Sequence, residues 1–93
     1  MDWKPYDPAW LAEWVRTSRP DLPWLPDALA CCTRAAEDGR AYLCFVDPAD
    51  ANQPGAEWQI AENVMLEHPR EGTLVLDVLE GRRIGGIEFL RRL

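Results

Sequence analysis

Hydrophobic and polar positions alternate along this chain with two different periods, and the change of period divides it. From Pro8 to Ser18, Trp10, Leu11, Trp14 and Val15 recur at i, i+1, i+4 and i+5, while Glu13 and Arg16 fall opposite. That stripe predicts an amphipathic helix with one face buried. Asp7-Pro8 is a fitting start for it, an acidic cap followed by a proline at the first helical position. A connector with Pro20, Pro23 and Pro26 follows and cannot continue a helix. Leu25, Ala28, Leu29, Cys32 and Ala35 or Ala36 then give a second helical stripe, predicting a helix over Pro26–Asp38 that stops at Gly39.

Beyond Gly39 the pattern is that of strands. Ala41–Val46 is apolar on both faces. Glu57–Glu67 fits two templates: Trp58, Ile60, Val64 and Leu66 alternate, whereas Trp58, Ala61, Met65 and Leu66 suit a helix. A strand broken near Glu62-Asn63 is favoured, because the hairpin that follows needs an antiparallel neighbour. That hairpin is the clearest feature. Leu74–Leu79 is a β-branched and aliphatic run, Glu80-Gly81-Arg82 is its turn, and Ile84–Leu90 returns. Leu74, Leu76 and Val78 share one face; Val75, Asp77 and Leu79 share the other. The second face therefore calls for cover, and the helical N-terminal third is the expected source. Gly85-Gly86 predicts a bulge that aims Ile87 and Phe89 into the core, or else a close approach by a ligand or partner backbone.

The ending D-x-x-x-x-G-R-x-x-G-I-E-F-L is carried by Asp77, Gly81, Arg82, Gly86, Ile87, Glu88, Phe89 and Leu90. It resembles an uncharacterised family of small bacterial domains of unknown function that close on such a hairpin. The resemblance covers Asp77–Leu90 well and extends loosely back to Arg40. It implies a small antiparallel sheet and no particular activity. The first forty residues depart from the family pattern.

The 93 residues and a hydrophobic share of 47% predict one folded domain, 1–93, with a helical layer over 1–39 and an antiparallel sheet over 40–93. The expected class is α+β: two N-terminal helices packed on one face of a three- or four-stranded antiparallel sheet. Net charge is −6, with −2 in residues 1–40 and −4 in residues 41–93. Asp47, Asp50, Glu57, Glu62 and Glu67 lie in a stretch with no Lys or Arg. Such a chain lacks the basic footprint that nucleic acid or an anionic membrane needs. A basic protein partner is the complementary expectation. The contact residues expected for it are Asp47, Asp50 and Glu57 on a long loop, with Trp58 and Trp24 as aromatic anchors.

The chemistry-bearing residues are sparse. Cys31 and Cys32 are adjacent and Cys44 stands alone, which is neither a disulfide framework nor a zinc spacing. His68, the only histidine, has no nearby nucleophile or second histidine and reads as a surface turn residue. Asp77 and Glu88 lie on paired strands but out of register for an acid–base pair. No phosphate loop or nucleophile elbow is present, so no catalytic residue, metal or cofactor is expected. The opening MDWKPYDPAW has neither the basic nor the apolar region of a secretory signal, and a reducing cytoplasm is the expected compartment. Three functions fit. The first is an acidic interaction module such as an immunity protein, antitoxin or accessory subunit. The second is a small-ligand or biosynthetic accessory protein whose apolar pocket is lined by Trp10, Trp14, Trp24 and Trp58. The third is a homodimer joined through Ile84–Leu90 as an edge strand.

Overall fold

The computed structural model describes all residues, 1–93, as two helices on one face of a six-stranded antiparallel sheet. In chain order the elements are β1 (Lys4–Pro5), α1 (Ala9–Ser18), α2 (Leu25–Ala30), β2 (Arg34–Glu37), β3 (Tyr42–Cys44), β4 (Ile60–His68), β5 (Gly72–Leu79) and β6 (Arg83–Phe89). A short 3₁₀ turn, Leu90–Arg92, follows. The strands lie in the order β1-β2-β3-β6-β5-β4. The α+β class holds, but six strands replace the expected three or four.

The extra strands come from the N-terminal third. The second helix ends at Ala30, not Asp38, and Arg34–Glu37 pairs with β1 on one side and β3 on the other. Residues 1–39 are therefore not purely a helical layer. Alanine favours helix, yet Ala35 and Ala36 are both buried here, one on each face of a strand. Gly39, at φ 73°, makes the turn into β3 instead of stopping a helix. Lys4–Pro5 returns to pair with Ala35 and Arg34, and Tyr6 N–H donates to Thr33 O at 2.9 Å.

The first helix forms as its pattern requires. Asp7 Oδ1 accepts from Ala9 N–H at 3.0 Å, and Leu11 and Val15 are fully buried. They pack with Leu25 and Leu29 of α2 onto Leu74, Leu76 and Val78 of β5 and Ile84, Ile87 and Phe89 of β6. This main core of fourteen buried residues lies wholly on the helix face. Burying a Leu or Ile side chain contributes about 1.5–3 kcal/mol, so this layer dominates stability.

The β5–β6 hairpin turns at Glu80–Arg82, with Gly81 at φ 79° and Arg82 at φ 59°. Its register shifts between Asp77 and Val78, so that Asp77 faces Gly86 and Val78 faces Ile84. Gly85 is the extra residue. The bulge restores parity: without it Ile84 would turn away from the face that holds Ile87 and Phe89. β6 sits between β3 and β5, so Ile84–Leu90 is an interior strand and not an edge. The free edges are β1 and β4.

Candidate functional site: the uncovered sheet face

Helices cover one face of the sheet only. Tyr42, Cys44, Asn63, Met65, Glu67, Thr73, Val75, Asp77, Leu79, Gly86 and Glu88 point the other way, because each lies one step from a residue of the main core. Helices on one face are as expected, but the second face of β5 does not get its cover from the helical N-terminal third. One end of this second face is covered by the loop between β3 and β4, which lowers Trp58 onto Val46 and Leu79. The glycines explain why Trp58 can sit there. A Cβ on Gly85 would stand 2.8 Å from Trp58 Cζ3 and 3.0 Å from Leu79 Cδ2. A Cβ on Gly86 would stand 2.7 Å from Leu43 O and would meet the Tyr42 ring. The close approach read from Gly85-Gly86 is thus made by this chain's own Trp58 and Tyr42.

The register aligns the rest of the face in rows. Met65, Val75, Glu88 and Tyr42 form one row across β4, β5, β6 and β3. Asn63, Asp77, Gly86 and Cys44 form the next, and Glu67 pairs with Thr73 beyond. Met65 is 58% exposed and Val75 is half-buried, so the first row presents an open apolar centre. Glu67, Asp77 and Glu88 surround it, and the rows through Asn63, Met65 and Glu67 carry no Lys or Arg; Arg83, opposite Leu79, stands at the covered end beside Glu57.

Asp77 is held from two sides. Tyr42 O–H donates to its Oδ2 and Asn63 Nδ2 donates to its Oδ1, both at 2.5 Å. Burial, then the hydrogen bond and charge of Asp77, push the Tyr42 hydroxyl well above its usual pKa. It therefore stays protonated and acts as a donor. Glu88 lies opposite Val75 and Tyr42, not opposite Thr73, and does not pair with Asp77. Thr73 Oγ1 donates instead to Glu67 Oε2 at 2.8 Å. The network fixes side chains on the face, and it contains no base beside a nucleophile.

The residues singled out from the sequence scatter. Asp47, Asp50 and Glu57 are exposed on the β3–β4 loop, beside the covered end of the face. The loop is well tied: Asn52 N–H donates to Trp58 O at 2.7 Å, and Asn52 Oδ1 accepts from Ile60 N–H at 3.0 Å. Glu57 lies 3.7 Å from Arg83, an exposed pair of little energetic weight. Trp58 is only 9% exposed and serves as a plug, so it is not an anchor for a partner. Trp24 is half-buried, packs on the core and carries the Arg82 guanidinium 5.1 Å from its ring.

Trp10, Trp14, Trp24 and Trp58 share no cavity. Trp58 lies on the opposite side of the sheet, and Trp10 alone of the four lines a cleft. Trp10 and Trp14 instead enclose His68, with ring centroids 5.4 and 4.8 Å away. His68 is 7% exposed and is not a surface residue. Its Nδ1 accepts from the N–H groups of Arg70 and Glu71 at 3.2 and 3.1 Å, closing the β4–β5 turn. Sequence gave no sign of this, because the two tryptophans reach it from a helix more than fifty positions away. No group of three His, Cys, Asp or Glu side chains converges as a metal site would require. No helix is long and apolar enough to cross a membrane.

Comparison with protein-family models, curated proteins and solved structures finds no match to this chain.

Proposed function

We propose that this chain is a small acidic protein-interaction module, of the kind represented by immunity proteins, antitoxins and accessory subunits, and that it works in the cytoplasm. It docks a basic protein on the uncovered sheet face. The observation that carries this reading is the Met65–Val75 apolar centre flanked by Glu67, Asp77 and Glu88, with Arg83 set apart at the Leu79 end beside Glu57. An apolar centre with a charged rim is how interfaces divide affinity from steering. Asp47, Asp50 and Glu57 extend the negative field beyond the face and raise the encounter rate with a cationic surface.

The test compares wild type with a Glu67→Lys/Glu88→Lys variant in capture from the native host's lysate, at low and high salt. Both substitutions sit at exposed or half-buried positions, and circular dichroism checks that the variant folds. A Glu13→Lys variant, altered on the outer face of α1, is the control. A basic protein held by wild type and the control, released by salt and lost by the double variant, is the expected result. Equal retention by the double variant would exclude this face as the docking surface.

A further inference from the structure

At the end of the sheet, on the helix side, a cleft of about 450 Å³ opens where α1, the β4–β5 turn and the C-terminal 3₁₀ turn meet. We infer that this cleft is a binding site for a small planar anion, an aryl carboxylate or aryl phosphate. The inference does not rest on the sheet-face reading and uses none of its residues.

The cleft walls are aromatic and its polar groups are donors. Trp10 and Phe89 supply flat apolar surface. Tyr6 Oη accepts from Trp10 Nε1 at 2.9 Å, which leaves its own O–H free to donate. His68 Nδ1 is occupied as an acceptor by two backbone N–H groups, so the ring proton resides on Nε2. Nε2 has no protein acceptor, yet no buried side-chain nitrogen is left unpartnered; it must reach solvent, and the cleft is the only cavity that His68 lines. Arg70 lines the same cleft with no ion pair to its guanidinium. Arg92 lies 3.8 Å above the Phe89 ring and makes one long contact, 3.4 Å, with Glu71.

Two arginines, a hydroxyl and an imidazole N–H thus face one space that contains a single acid, Glu71. On a chain of net charge −6 the cleft is locally basic. Arginines in fork geometry suit carboxylate or phosphate oxygens, and the Trp10 and Phe89 rings suit a flat body. The volume lies within the range of small-molecule sites and admits one ring with its charged group.

The test is a titration of the uniformly ¹⁵N-labelled protein with benzoate, phenyl phosphate and neutral benzamide, following the Trp10 indole N–H. The expected result is a saturable shift with either anion at a Kd of about 1 mM, the range open to a fragment of this size. Arg70→Gln, at an exposed position whose side chain makes no ion pair, should weaken it about tenfold, and Arg70→Gln/Arg92→Gln should abolish it. Tighter binding of one anion tells carboxylate from phosphate as the preferred group. A non-saturating response to both anions, an equal response to benzamide, or unchanged affinity in Arg70→Gln would each overturn the inference.

Discussion

Gly85→Ala tests whether the two-faced architecture depends on Trp58 lying flat against the β6 bulge. Two effects compete. Gly85 is not in the left-handed region, so alanine can adopt its backbone, and stiffening the unfolded chain should stabilise by about 0.4–1 kcal/mol. Against this, the new methyl would stand 2.8 and 2.9 Å from the outer Trp58 ring atoms and 3.0 Å from Leu79 Cδ2. Trp58 cannot retreat freely, because the loop that carries it is pinned through Asn52 to both Trp58 O and Ile60 N. Overpacking a fixed core costs about 1–3 kcal/mol, so the clash wins and a net loss of about 1–2 kcal/mol is expected. For a domain of this size that lowers Tm by roughly 4–15 °C. Urea unfolding followed by far-ultraviolet circular dichroism measures it without depending on tryptophan emission. The decisive comparison is a cycle with Trp58→Phe, whose smaller ring withdraws the offending atoms. In that background Gly85→Ala should be close to neutral, giving a coupling of about 1–2 kcal/mol. Gly85→Ala that is neutral in wild type, or equally damaging in both backgrounds, would refute the Trp58–Gly85 lock.

Three further outcomes are expected. Burial pushes the Cys32 thiol from 9.0 up to about 12 and the Cys44 thiol from 9.0 to about 11, and burial with Asp77 raises Tyr42 above 10.0. The folded state therefore holds protons that the unfolded chain releases, so stability is intact below pH 9 and falls as pH rises through about 9–12. Alkaline titration by circular dichroism checks this, and a flat profile to pH 11 would contradict it. The same burial predicts that a bulky thiol reagent labels exposed Cys31 rapidly in the native protein and Cys32 and Cys44 only on unfolding. Arg19→Ala should increase self-association in sedimentation velocity, because Arg19 NH1 donates to Met65 O on the free β4 edge at 2.8 Å; unchanged sedimentation would show that the edge needs no guard.

Local signals were legible and long-range ones were not. Asp7, the α1 stripe, the Gly81 turn and the β6 bulge act within a few residues of themselves, and each was readable from spacing alone. The strand at Arg34–Glu37 was not, because two small apolar residues in succession read equally as a helix and as a strand with both faces covered. What decides it is pairing to Lys4–Pro5 and to β3, and a two-residue strand containing proline announces nothing. The apolar second face of β5 was read correctly as needing cover, but the cover came from the β3–β4 loop. Proline, glycine and acids mark that segment as a loop, and only Trp58 within it signals burial. His68 misled for the same reason: a turn-like H-P-R-E-G context says nothing about two indoles arriving from α1.

The treatment of the sheet edges bears on where a partner can dock. A six-stranded sheet ends in two rows of unpaired backbone groups. β1 limits the first by length and chemistry: two residues, one of them a proline without an N–H and the other a lysine. At the other end β4 is nine residues long and would be the natural template for strand addition. Gly85 O and Phe89 N–H bond toward β3, so alternation turns Val75 and Asp77 toward β6, Leu74 and Leu76 toward β4, and leaves Asn63, Met65 and Glu67 with outward backbone groups. The middle carbonyl of these three, Met65 O, is taken by Arg19, whose other nitrogens are fixed by Asp21 at 3.0 and 2.9 Å. The register shift between Ile60 and Glu62 distorts the start of the same edge. An incoming strand would have to displace Arg19 and tolerate Glu62 and Glu67. The adjacent face, with Met65 presented and no cation over it, asks for neither, which favours docking on the face over addition at the edge.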